Sequence, residues 1–187
     1  MPLLTRHSTI TIVELTVAAT LLLGIGVWFG MYDISADTPH GKITHNLLQT
    51  LRERSIAVRA KTVQVPDDLD DAARITQGAG NYGAMCTGCH LAPGMADTEL
   101  SRGLYPVPPN LSHVPVDAAT AFWVIKHGIK ASGMPAWGKS MNDEYIWNMA
   151  AFLQQLPKLD ATQYQALVAG SGGHSHVDQP GASPHVH

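Results

Sequence analysis

Cys86-Thr87-Gly88-Cys89-His90 contains both cysteines of the 187-residue chain, with a histidine directly after the second. Two thiols three residues apart can reach the two vinyl-derived carbons on one edge of a haem. The next residue then presents an imidazole to the iron, so C-x-x-C-H reads as a covalent haem attachment site. On that reading Cys86 and Cys89 carry thioether bonds and His90 is the proximal ligand. Two other chemistries compete. A structural zinc site wants four ligands, and no second cysteine pair completes a common set although ten histidines are present. A thioredoxin-like redox pair belongs in a βαβ pattern, whereas the residues before Cys86 have helical periodicity.

A six-coordinate iron needs a second axial ligand, and Gly133-Met134-Pro135-Ala136-Trp137 offers one further along the chain. Most methionines are core fillers. Met134, however, lies between helix breakers rather than on a helical stripe, and Pro135 biases it toward extended backbone, which frees the thioether from helical crowding. A His/Met pair is a ligand set that raises the haem potential.

The stretch from about Asp71 to Leu156, just under half the chain, resembles the class I c-type cytochromes. The resemblance rests on C-x-x-C-H near its start, the Pro109-Asn110-Leu111 loop, the Gly-Met-Pro-Ala-aromatic loop, and a closing helix containing Phe152. It implies an all-α fold, a small cytochrome c domain with three main helices around one covalent haem c. Gly78 and Tyr82 stand where the family carries a glycine and an aromatic in its first helix. Met149 and Phe152 stand where its last helix has an aliphatic and an aromatic. The two helices are then expected to cross at Gly78. Pro109 matches the proline whose carbonyl accepts a hydrogen bond from the proximal histidine, a contact that orients the ring and raises its basicity. The implied cofactor site is Cys86, Cys89, His90, Met134 and Pro109, with His90 and Met134 as axial ligands of the iron.

Helix signals fit this layout. The first haem-domain helix is predicted from about Asp71 to Met85, with Ala72, Ile75, Ala79 and Tyr82 on one face. Gly78, Gly80 and Gly83 each cost on the order of 1 kcal/mol against alanine, so packing must hold that helix. A second helix is predicted from Asp117 to His127, stopped by Gly128. A third is predicted from Asp143 to Leu156, capped by Asn142, with Pro157 just beyond it. The proline-rich stretch from Leu91 to Pro115 reads as a loop wrapped over one haem face.

Ahead of this domain, Leu15 to Met31 contains no charged residue. Seventeen helical residues cover about 26 Å, and the preceding turn with Ile10, Ile12 and Val13 completes a bilayer span. The run reads as a single transmembrane anchor over residues 1–31, ending in the interfacial aromatics Trp28 and Phe29. The rival is a cleaved signal peptide with Arg6 as its basic region and Ile34-Ser35-Ala36 as the cleavage site. Arg6 on one side and Asp33 and Asp37 on the other are a thin basis for orientation. In the resembling family haem attachment occurs outside the cytoplasm, which implies a bacterial inner-membrane protein with its haem domain in the periplasm.

The linker over residues 32–66 holds five Lys/Arg against three Asp/Glu, whereas residues 66–157 hold five against nine. Ile43, Leu47, Leu51, Ile56 and Val58 have roughly helical spacing, so an amphipathic helix is predicted over 43–58. It would lie on the haem domain, on the membrane, or against an integral partner subunit. The haem domain is expected over 67–157, followed by an extension over 158–187 that is His-rich and disordered from about 170. His174, His176, His185 and His187 could hold a borderline metal, although a solvated tail is the simpler reading. Lys126, His127, Lys130 and Lys139 flank Met134 as a positive patch, which is either plain solvated surface or a docking site for a redox partner.

A net charge of −3 without a phosphate-cradling loop gives no support to nucleic-acid binding, and no catalytic triad is present. The expected function is one-electron transfer in a respiratory chain, between a donor complex and a terminal oxidase or other acceptor. The protein would act as a relay rather than an enzyme, free or as a subunit of a quinol-oxidising, dehydrogenase or oxidase complex. The alternative is a haem peroxidase or small-gas sensor in which Met134 leaves the iron readily.

Overall fold

The structure is a computed structural model that describes residues 6–173. Among these residues every regular element is helical, as the sequence predicts. The chain divides into two units, residues 1–38 and residues 39–187.

The first unit is built on α1 (Arg6–Trp28). Its residues His7–Trp28, 22 in number, are long and apolar enough to cross a membrane. They extend about 33 Å, against about 30 Å of bilayer hydrocarbon. Thr11, Thr16 and Thr20 turn their hydroxyls back onto the carbonyls four residues earlier, so these polar groups are satisfied within the helix. The helix stops before the apolar run does. The Met31 N–H donates to the Gly26 carbonyl and the Gly30 N–H to the Val27 carbonyl, and Gly30 takes a φ of 63°, the left-handed closure that a glycine permits.

The second unit begins with α2 (Lys42–Ala60), a little longer than the predicted 43–58, and continues through α3 (Ala72–Met85) and α4 (Thr87–His90). After these come α5 (Glu99–Gly103), α6 (Ala118–His127), α7 (Asp143–Leu153) and α8 (Ala161–Gly170). The helix starts are local chemistry. Asp71 accepts from the Ala73 and Arg74 N–H groups, Asp117 from Thr120, and Asn142 from Tyr145. Asn142 occupies the capping position read from the sequence, Asp71 and Asp117 stand at the predicted helix starts, and each satisfies a donor that the helix itself cannot.

The core is the crossing of α3 and α7. A β-carbon built on Gly78 would overlap the Asn148 carbonyl oxygen and stand 2.9 Å from the Phe152 Cβ, so only glycine allows this approach. Ala79, Tyr82, Ile146, Met149 and Phe152 are buried around the crossing. The Arg74 guanidinium donates to Asn148 Oδ1 at 2.9 Å and also pairs with Asp68, which ties the two helices at their edge. On the other flank of α7, Phe122 of α6 stacks on Trp147 with centroids 4.1 Å apart.

Three features depart from the predictions. The third helix ends at Leu153 rather than Leu156, and a separate 3-10 turn covers Leu156–Lys158. Pro157 has no N–H and disfavours α-helical backbone at Leu156. The expected loop contains α5, started by a reciprocal Thr98–Ser101 cap. The extension after residue 158 contains α8, which packs on the glycine-rich side of α3. The Tyr164 hydroxyl approaches to 3.3 Å of where a Gly83 β-carbon would sit. The histidines proposed as a metal tail, His174, His176, His185 and His187, lie outside the described residues.

Helix α2 packs on α6 with its more polar side. Arg52, Ser55, Ile56 and Ala60 are partly or fully buried, while Ile43, Leu47, Leu51 and Val58 are between 64% and 87% exposed. Its apolar stripe therefore points away from the domain.

Candidate functional site

Cys86 caps the C-terminus of α3, and the single turn of α4 carries Cys89 and His90 onward from it. The two cysteines are not joined by a disulfide. The turn is fixed from behind, because the buried Tyr82 hydroxyl donates to the Leu91 carbonyl at 2.6 Å. Leu91 itself takes a φ of 60°, an uncommon left-handed conformation that turns the chain immediately after His90.

The Pro109–Leu111 segment holds His90 twice. The Leu111 N–H donates to the His90 carbonyl at 3.2 Å, and His90 Nδ1 lies 2.9 Å from the Pro109 carbonyl oxygen. A carbonyl can only accept, so Nδ1 carries the proton and Nε2 keeps its lone pair. Burial lowers the His90 pKa, with the Pro109 bond acting in the opposite direction, and the imidazole stays neutral as a metal ligand must. Burial, helped by neighbouring Cys89, pushes the Cys86 thiol up to about 12. Burial likewise drives the Tyr82 phenol well above its ordinary value.

Met134 is held by a compact turn. Its N–H donates to Ser132 Oγ, which in turn donates to the Ile129 carbonyl, while the Ile129 N–H donates to the Met134 carbonyl at 3.1 Å. Gly128, with φ 64°, starts this turn, and a β-carbon on it would come within 2.7 Å of the Met134 carbonyl oxygen. Close approach as well as left-handed backbone thus requires glycine there.

Cys86, Cys89, His90, Pro109 and Met134 all line one cavity of about 330 Å³. Its remaining wall is mainly apolar, built by Leu104, Pro106, Val107, Pro108 and Leu111, by Val124 and Ile125 of α6, and by Trp137. That size and lining are typical of a ligand or cofactor site. The donor set fits a covalently attached iron porphyrin: two thiols at the attachment spacing, an imidazole with Nε2 available, a thioether, and apolar walls for the macrocycle.

Residues 73–153 match the family model described as cytochrome C oxidase, cbb3-type, subunit III. The domain is a class I c-type cytochrome. As such it binds haem c and serves electron transfer, and Cys86, Cys89 and His90, which line the cavity, lie within the matched residues. No curated protein and no solved structure matches the chain.

The structure adds to the sequence reading at three places in the cytochrome. Arg52 of α2 lines the same cavity although it lies outside the matched segment. Nothing in local sequence marks it, because its position follows from how α2 packs on α6. Helix α8 lies in the stretch expected only as an extension, although Asp160 and Gln163 form a reciprocal cap ahead of Tyr164, Leu167 and Val168, a pattern that announces a helix start. The positive patch is smaller than predicted. Lys126 Nζ pairs with Asp143 at 2.7 Å and rests over the Phe122 ring, leaving Lys130 and Lys139 as its exposed lysines.

Proposed function

We propose that this protein is a membrane-anchored relay that passes single electrons through one covalently bound haem c with His90 and Met134 as axial ligands. The observation that carries the reading is one cavity lined by Cys86, Cys89, His90 and Met134, with His90 oriented by Pro109 at 2.9 Å. Bound there, the cofactor supplies a one-electron ferrous/ferric couple. Cys86 and Cys89 hold it by thioether bonds, and Pro109 keeps His90 in the tautomer that presents Nε2. Met134 would supply its thioether as a second ligand to the iron, which would close it to peroxide or small gases and favour relay over catalysis. The apolar wall excludes water and favours the reduced, less charged state.

The length and composition of α1 support a single-pass anchor. Haem attachment in this family supports a periplasmic domain in a bacterial respiratory chain. The outward apolar stripe of α2 suits an integral subunit of an oxidase or quinol-oxidising complex, and the matched family model is named for an oxidase subunit. Copurification in mild detergent tests that association.

The decisive experiment is spectroscopy with potentiometric titration on washed membranes. A low-spin c-type spectrum is expected, with a near-infrared sulfur-to-iron charge-transfer band that disappears in M134A together with a lowered midpoint. A high-spin ferric spectrum with rapid peroxide reactivity would overturn the relay reading in favour of an enzyme or sensor.

A further inference from the structure

Outside the matched cytochrome segment, α2 contributes a guanidinium to the haem cavity. We propose that Arg52 is a positioning residue that binds a propionate carboxylate of the haem and raises the potential of the iron; this rests on the haem reading above. Among the described residues, Arg52 is the one Lys, Arg, Asp or Glu in the lining of an otherwise mainly apolar cavity. Its side chain is half-buried and has no acidic or hydrogen-bonding partner among the described residues. The ion pairs there are Arg74–Asp68 and Lys126–Asp143. A guanidinium on a mainly apolar wall keeps only part of its hydration, so an anion beside it in the cavity is favoured. Haem carries two propionate carboxylates, and a planar guanidinium matches a carboxylate with two parallel hydrogen bonds.

Helix α2 is also fastened to the cavity rim. The His40 N–H donates to the Tyr105 hydroxyl at 3.2 Å, and the same hydroxyl lies 3.4 Å from His45 Nδ1. Leu104 and Pro106, on either side of Tyr105, line the cavity. The latch holds the N-terminal half of α2 against the loop that closes the site, which fixes where Arg52 can reach. A fixed positive charge near the iron favours the ferrous state over the ferric state, which bears one more positive charge.

The test uses the full-length holoprotein in detergent, comparing R52Q, R52K and R54Q; Arg54 is exposed on the same helix and absent from the cavity lining. Haem content and the near-infrared ligand band are measured first, then the midpoint potential. R52Q is expected to shift the oxidised/reduced ratio about tenfold toward oxidised, about 59 mV for one electron. R52K is expected to stay within about threefold of wild type, and R54Q within about twofold. An R52Q midpoint within about twofold of wild type, or an equal shift in R54Q, overturns the proposal. Should R52Q fail to load haem, R52K decides: a loaded protein within threefold supports a cation–carboxylate contact, and loss of haem or a tenfold shift rejects it. If wild type lacks covalent haem or the ligand band, the haem reading itself fails. With both present and R52Q silent, only the role of Arg52 fails.

Discussion

Gly78→Ala puts one methyl group into the α3–α7 crossing, where the structure leaves no volume for it. The added carbon would overlap the Asn148 carbonyl oxygen and stand 2.5 Å from the Asn148 carbonyl carbon. Ordinary contact lies near 3.5 Å, so the helices must part locally by about 1 Å. A gap of that size forfeits a quarter to a half of each dispersion contact across it, which over one large side chain such as Phe152 amounts to about 2 kcal/mol. The Arg74–Asn148 hydrogen bond, 2.9 Å long, would be stretched as well, at a further cost of about 1.5–3 kcal/mol if lost. Alanine returns about 1 kcal/mol of helix propensity. The expected net loss is about 3 kcal/mol. Guanidinium unfolding of the holoprotein, followed by far-ultraviolet circular dichroism and haem absorbance, measures it. Gly103→Ala is the control, because nothing among the described residues lies within 4 Å of its added carbon; it should stay within about 0.5 kcal/mol of wild type. A G78A protein as stable as G103A would refute the crossing geometry.

Tyr164→Ala should cost about 3–5 kcal/mol, as for other buried aromatics, since Tyr164 is 4% exposed and packs toward Phe152; a loss below about 1 kcal/mol in the same unfolding assay would remove α8 from the cooperative unit. Burial pushes the Asp117 carboxyl up, but hydrogen bonds from the Thr120 side chain and from the Thr120 and Ala119 N–H groups outweigh it and hold it below its ordinary value of 3.8. A depressed folded-state pKa gives stability that is complete above the ordinary value and is lost as pH falls below it. D117N keeps an N-cap oxygen without titrating there, so wild type should lose more stability than D117N on acidification, and parallel pH profiles would contradict this. K130E with K139E should slow electron transfer to an anionic redox partner several-fold at low salt, with the difference shrinking as salt screens it; stopped-flow rates that ignore both substitution and salt would dispose of the patch.

What could be read in advance shares one property: its physics acts within a few residues. The spacing of Cys86, Cys89 and His90 is fixed by the covalent chain. The caps at Asp71, Asp117 and Asn142 each reach an N–H two or three residues away. The apolar length of α1 is a sum over consecutive side chains. Gly78 and Pro109 were legible one step less directly, through resemblance to a family whose crossing and histidine bond leave recognisable residues.

Other features came only with tertiary structure, because they depend on which distant surfaces meet. Leucine spacing in α2 signals a helix with an apolar face, yet the domain took its more polar side and placed Arg52 in the cavity. Lys126 belongs by sequence to a positive loop, but the approach of α6 to α7 gives its charge to Asp143. The sequence by itself determined the cofactor chemistry, the helical class and a membrane-length segment. Packing decided which charges face the cavity, which are cancelled, and that the glycine-rich face of α3 serves two helices, since long-range contacts are chosen by the fit of whole surfaces rather than by any local pattern.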